Sequence, residues 1–207
     1  MADQFSYIET QEELDSTLVS ATREITEVVV HWTANFIDQD ISAEQINRAH
    51  VNRGFDEIGY HFVILRDGSL QRGRDINKQG AHALRRNQYS IGLAFVGGIN
   101  LTSEEATRLG GYQAVALNSR HASSNSLTDA QFKTFDTFMD SFFKAFPYGQ
   151  AFGHNDTDPN KKIDPGFDVV EYCNNKFDAH IFVTPHPDQS LSVSQLLAEA
   201  VRQKGIA

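Results

Sequence analysis

The chain has 207 residues, 40% of them hydrophobic and 22% charged, with a formal net charge of -9. This suits one domain with one sizeable core and an ordinary globular composition, while the acidic balance argues against nucleic acid as a partner. The single cysteine, Cys173, excludes an internal disulfide, and no apolar run reaches the roughly 18 residues needed to cross a bilayer.

Taken in chain order, the N-terminal segment lacks a basic patch followed by an apolar run, so no secretory signal is expected there. Thr10 to Thr22 reads as a short amphipathic helix. Ile25 to Trp32 contains the β-branched run Val28-Val29-Val30 of a buried strand. Ser42 to Arg53 reads as a helix with Ser42 as N-cap, Gln45 in the capping-box position and Gly54 as its stop. Gly59 to Leu65 is a second strand. It turns through Arg66-Asp67-Gly68-Ser69, an Asp-Gly hairpin signal, into a third strand at Leu70 to Arg72.

Ser90 to Val96 is another buried strand, closed by Gly97-Gly98. The stretch Asn100 to Asn125 is polar and shows no clear period. Thr128 to Phe146 reads as a long helix capped by Thr128, with Phe132, Phe135, Phe138, Phe142 and Phe146 recurring at core-facing intervals. Phe152 to Phe167 reads as a loop by composition. The tail divides into a linker from Val183 and a capped amphipathic helix from Ser192 to Gln203, whose apolar face needs a surface to cover it. These elements predict an α/β fold: a single domain over residues 1–182 with a central mixed β-sheet flanked by helices, and a C-terminal helix within residues 183–207.

Among eight histidines, the segment around each decides its reading. His31 ends an apolar strand, which places it at a sheet rim on rigid support; a hydrogen-bonded rim histidine and a metal ligand both fit. The loop from Phe152 holds His154, three aspartates and two lysines, and a rigid Asp164-Pro165-Gly166 turn. An EF-hand reading of that loop fails, because Lys161 stands where the glycine is required and Phe167 where the closing Glu is required. Two neutral imidazoles and one carboxylate form a common catalytic zinc set that leaves the fourth position open, and such a site suits amide hydrolysis.

The order of motifs adds to this. Val28-Val29-Val30-His31-Trp32-Thr33, Gly59-Tyr60-His61-Phe62 with Arg66-Asp67-Gly68, Gly73-Arg74-Asp75, Gly80-Ala81-His82-Ala83, Ser90-Ile91-Gly92, Gly153-His154 and Lys162-Ile163-Asp164-Pro165-Gly166 together resemble the type-2 N-acetylmuramoyl-L-alanine amidases. The likeness runs from about Glu27 to Tyr172 and takes in phage lysozyme-like amidases and peptidoglycan-recognition proteins. It implies zinc held by His31, His154 and Asp164, catalytic roles for Tyr60 and Lys162, and a groove-lining, substrate-binding role for His82. It also implies hydrolysis of the amide between N-acetylmuramic acid and L-alanine in peptidoglycan.

On that resemblance the expected setting is a phage endolysin or virion-associated enzyme. It is made in the host cytoplasm and acts at the periplasm and cell wall, without a membrane or nucleic-acid partner. A phage tail or baseplate protein is the partner considered for the C-terminal helix. Two alternatives stand beside it: a cytosolic muropeptide-recycling amidase, and a peptidoglycan-binding or virion structural protein with a vestigial site. Because Tyr60 and His61 are adjacent in an extended segment, one of them faces away from the site, and the resemblance assigns the site to Tyr60. His50 reads as a packing histidine and Cys173 as buried. The polar stretch Leu101 to Leu127 reads as a surface loop shaping the groove.

Overall fold

The computed structural model describes residues 4–116, 121–158, 160 and 163–177. The expected tail helix from Ser192 to Gln203 lies outside the described residues, as does Lys162. In chain order the elements are β1 (Tyr7–Ile8), α1 (Gln11–Val19), β2 (Glu27–Trp32), β3 (Asn35–Phe36), α2 (Ala43–Val51), β4 (Phe62–Ile64), β5 (Leu70–Arg72), β6 (Ser90–Phe95) and β7 (Gly98–Ile99). There follow α3 (Ser103–Arg108), α4 (Tyr112–Val115), a single 3-10 turn at Ser124–Ser126, α5 (Asp129–Ala145), β8 (Gln150–Gly153), α6 (His154–Thr157) and α7 (Val169–Phe177).

Six strands form one mixed sheet in the order β1-β5-β4-β6-β2-β8. The β4–β5 hairpin is antiparallel, and β1 adds to it antiparallel. The β4–β6, β6–β2 and β2–β8 pairs are parallel. The expected α/β domain with a central mixed sheet is therefore the observed one. β2 and β6 are buried on both faces, as strands covered on two sides must be.

Alternation along the strands sorts the two layers. Val28, Val30 and Trp32 of β2, with Ile91, Leu93 and Phe95 of β6, face α1, α5 and α7 in the main core. Val63 and Val96 face the other way and pack with Ala43 and Ile46 of α2. His31, one residue out of step with Val30, therefore lies on the α2 side of the sheet. Three of the five phenylalanines expected on the core face of the long helix, Phe135, Phe138 and Phe142, are fully buried. Phe132 and Phe146 are half-buried at its margins.

The N-caps expected at Ser42 and Thr128 are the observed ones. Ser42 and Gln45 form a reciprocal capping box on α2. On α5, Gln131 N donates to Thr128 Oγ1 at 3.1 Å and Thr128 N donates to Gln131 Oε1 at 3.0 Å. The amide nitrogen of Gln131, fully buried, also donates to Ile64 O and Val96 O at 3.1 and 2.9 Å, so the cap closes the C-terminal ends of β4 and β6.

The loop reading of Phe152 and Gly153 is corrected. Gln150–Gly153 is the edge strand β8, paired with β2, and His154 opens the one-turn α6. Four residues ending in glycine carry too little pattern to announce a strand; pairing with β2 makes it one. The strand expected from Gly59 to Leu65 is shorter, Phe62–Ile64. The polar stretch after β7 is partly helical: α3 and α4 pack Ala106 and Val115 against Phe36 and Ile99 beside the small β3–β7 sheet. No helix among the described residues is long and apolar enough to cross a membrane.

Phe138→Ala should lower the unfolding free energy by about 3–5 kcal/mol, and Thr128→Ala by about 1 kcal/mol. Urea midpoints at unchanged m-value check both. Equal losses for the two would contradict this division between core and cap.

Candidate metal centre and active site

Two parallel strands bring the first two site residues together. The β2–β8 register ends at Val30↔Gly153, and the residue that follows each of these two is a histidine. His31 and His154 thus stand side by side at the C-terminal ends of neighbouring strands, the usual position for sites on parallel sheets. Their ring centroids are 4.5 Å apart. His31 is fully buried, and His154 is 9% exposed.

The third residue arrives on the loop after α6. Asn155 N donates to Asp164 O at 2.8 Å, and Gly153 N donates to the Asp156 carboxylate at 2.8 Å. The first bond ties the loop back to the end of β8. Trp32 N then donates to Asp164 Oδ1 at 2.9 Å, leaving Oδ2 facing the imidazoles, 2.8 Å from His154 Nδ1 and 3.5 Å from His31 Nδ1. Gly166, at φ +84, lies against Trp32, whose ring would be 2.2 Å from any Cβ there. The turn can close only with glycine at this position.

One nitrogen from each histidine and one oxygen from Asp164 lie within 4.8 Å of one another. Ligands about 2.0–2.1 Å from a tetrahedral zinc are separated by about 3.4 Å. The 3.5 Å separation fits directly, and the 2.8 Å one needs only a small spreading of the His154–Asp164 pair. Two imidazoles and one carboxylate are also the right donor types for catalytic zinc, so the residues present fit the metal.

Burial alone would raise the Asp164 carboxyl, but its contacts with His154 and His31 and their charge outweigh that, and hold it well below the ordinary carboxylate range. Tyr60 places its ring 5.1 Å from His31. Burial pushes its phenol up, and the Asp164 charge adds to the rise, so it is a neutral O–H donor at physiological pH.

Three further histidines surround these groups. His50 packs 5.3 Å behind Tyr60 and accepts from Gly59 N at 3.0 Å; burial, with Arg53 and Arg74 nearby, drives it down to about 4. His61 turns away from Tyr60, as the alternation requires. Its Nδ1 accepts from Gly92 N at 2.9 Å, and burial and Arg23 drive it down to about 3. His82 lies between His61 and His31, at ring separations of 5.7 and 5.0 Å, and burial lowers it as well.

Of the six residues singled out in the sequence, His31, Tyr60, His82, His154 and Asp164 converge, while Lys162 is outside the described residues. Sequence reasoning missed the Trp32 backbone N–H as the anchor of Asp164, and Ser90 as a partner of His82 at 3.3 Å. A backbone donor leaves no side-chain signature, whereas Ser90 stood within one of the quoted motifs.

The N-acetylmuramoyl-L-alanine amidase family profile matches residues 21–167. The chain is 33% identical over 96 residues to the endolysin of Enterobacteria phage K11, an alignment covering 46% of this chain and 64% of that one. It is 40% identical over 79 residues to the endolysin of Escherichia phage T7, covering 38% and 52%. The matched region therefore spans about half to two-thirds of these curated relatives. In fold it is similar to the endolysin LysCS from Clostridium intestinale, with a TM-score of 0.56 and 23% identity over 76% of this chain and 86% of that one.

The neutral histidines make a pH prediction. The folded pKa of His50 lies below its unfolded value, so the unfolded chain binds the extra proton, and stability falls as pH drops from about 6.5 toward 4. In metal-free protein, His50→Asn, which keeps an acceptor for Gly59 N, should flatten the loss of melting temperature across that window. A slope equal to the parent's would show that His50 is protonated in the fold.

Proposed function

The chain belongs to the N-acetylmuramoyl-L-alanine amidase family, and on that premise we propose that it is a zinc-dependent hydrolase of peptidoglycan, cutting the amide between N-acetylmuramic acid and L-alanine in an endolysin role. The observation that carries this reading is the convergence of His31, His154 and Asp164 at the ends of β2 and β8. The phage endolysins among its relatives support the wall-degrading role.

His31 Nδ1, His154 Nδ1 and Asp164 Oδ2 would hold the zinc. When bound, zinc polarises a carbonyl and brings the pKa of a water near neutrality. The chain's own groups do the rest. Asp164 keeps its charge through its contacts with His154 and His31, and Trp32 N pins its second oxygen so that the other stays directed at the imidazoles. Tyr60, kept protonated by burial, donates to the oxyanion that develops on the lactyl carbonyl. Lys162 is assigned a second donor role by the resemblance alone. The alanine nitrogen must be protonated as it leaves.

His154→Ala and Asp164→Ala should each lose both bound zinc and cleavage of purified sacculi. Mass spectrometry of parent digests should find glycan strands without new reducing ends, and peptides beginning at L-alanine. New reducing ends would make the enzyme a glycosidase and sink the assignment. Comparing intact sacculi with soluble anhydro-muropeptide separates wall lysis from muropeptide recycling. Tyr60→Phe should keep its zinc and lose roughly 10²–10³-fold in kcat; a rate within twofold of the parent's would remove Tyr60 from the chemistry.

A further inference from the structure

We propose that His82 is a positioning residue for the metal site: it fixes the tautomer and ring orientation of His31 and is not a substrate ligand. The proposal rests on the zinc reading above for its consequence, and on hydrogen-bond direction for its argument.

The direction can be followed from one end. The Ser90 hydroxyl donates to Arg86 O at 2.8 Å, so its oxygen faces His82 Nε2, 3.3 Å away, as an acceptor. His82 Nε2 therefore carries the N–H. A neutral imidazole has one N–H, so His82 Nδ1 is an acceptor, and it lies 3.0 Å from His31 Nε2. His31 must then be protonated on Nε2. In the neutral ring, the form that a metal binds, this leaves the lone pair on Nδ1, the nitrogen on the Asp164 side. His31, His82 and Ser90 thus donate one to the next in a single direction that ends on Arg86 O, and this chain presents the correct His31 nitrogen to a metal.

The surroundings hold this chain rigid. Asn87 Oδ1 accepts from both His82 N and Ala83 N, at 2.8 and 2.9 Å. Gly80 and Gly92 clamp the His82 ring: a Cβ at Gly92 would lie 2.4 Å from His82 Cδ2, and one at Gly80 2.5 Å. The Arg86 end is anchored as well, since its Nε donates to Glu27 Oε1 at 2.7 Å and its guanidinium lies over the Phe152 ring. Both His82 nitrogens are engaged by protein groups, leaving neither for a sugar or peptide. Without an acceptor at His31 Nε2, the ring is free to carry its proton on Nδ1 against Asp164. Zinc must then displace that proton before it binds.

The test uses zinc competition against a chelator, together with nitrogen-15 spectra of the histidine rings in metal-free protein. Metal-free parent should show His31 protonated on Nε2. His82→Leu should bind zinc roughly 10–100-fold more weakly, the usual effect of losing an outer partner of a ligand histidine, and its His31 should shift toward the Nδ1–H form. His82→Asn, whose amide oxygen takes the place of Nδ1, should recover most of the affinity, and Ser90→Ala should show a smaller loss than His82→Leu.

A folded His82→Leu variant with parental zinc affinity and a raised KM would overturn the proposal in favour of substrate contact. Should His82→Leu not fold, the parent spectra still decide, because a His31 protonated on Nδ1 and not on Nε2 contradicts the chain. Failure of the parent to bind zinc would instead count against the function proposed above, while the His31 tautomer would still report on the hydrogen-bond chain.

Discussion

The parallel pairing of β2 with β8 is the constraint on which the site depends. Its register places Val30 opposite Gly153, so the residues just beyond, His31 and His154, meet at the sheet edge. A slip of one residue would send one of the two imidazoles to the opposite face. The same strand end supplies the anchor for the carboxylate, because Trp32 N, beyond the last β8 pair, donates to Asp164. The Trp32 N–H bond to the Asp164 carboxylate thus joins the sheet to the ligand loop, beside the Asn155 N–H bond to Asp164 O, and the rigidity of a doubly buried strand is passed to the metal site.

Around that core the site is built from histidines kept neutral by burial. His50 supports Tyr60 and the backbone at Gly59, His61 supports the backbone at Gly92, and His82 faces the ring of His31. An uncharged imidazole offers one donor and one acceptor, so each ring can join two groups with a defined direction. Buried lysines in the same places would bring charges that a neutral pocket could not compensate. The cost is that these rings depend on close backbone approach. It is met by glycines beside His82, where a methyl group would overlap the ring.

Much of this was legible in the sequence, and the reasons can be located. Val28 to Val30 announced a buried strand because β-branched residues without polar alternation have few other uses. Ser42 with Gln45, and Thr128 alone, announced helix starts because capping chemistry is local. The phenylalanine spacing gave the buried face of α5 directly. By contrast, β8, β3 and β7 are two to four residues long and have no local signal, since each exists only through its neighbour. The helices α3 and α4 were hidden for a related reason: they bury only Ala106 and Val115, too few positions to set a period.

The amino-acid sequence by itself determined which chemistry was available: two histidines, an aspartate and a tyrosine in an order shared with an amidase family, on a chain with the pattern of an α/β domain. Those are matters of residue type and local spacing, and the chain carries them wherever it goes. Only the tertiary structure decided which nitrogen of His31 faces Asp164, which backbone N–H holds that carboxylate, and that His82 engages His31 and Ser90. These are relations between residues far apart in the chain, 132 positions for Trp32 and Asp164 and 51 for His31 and His82. They arise only when strand register and the closure of the loop at Gly166 bring those groups within hydrogen-bond distance.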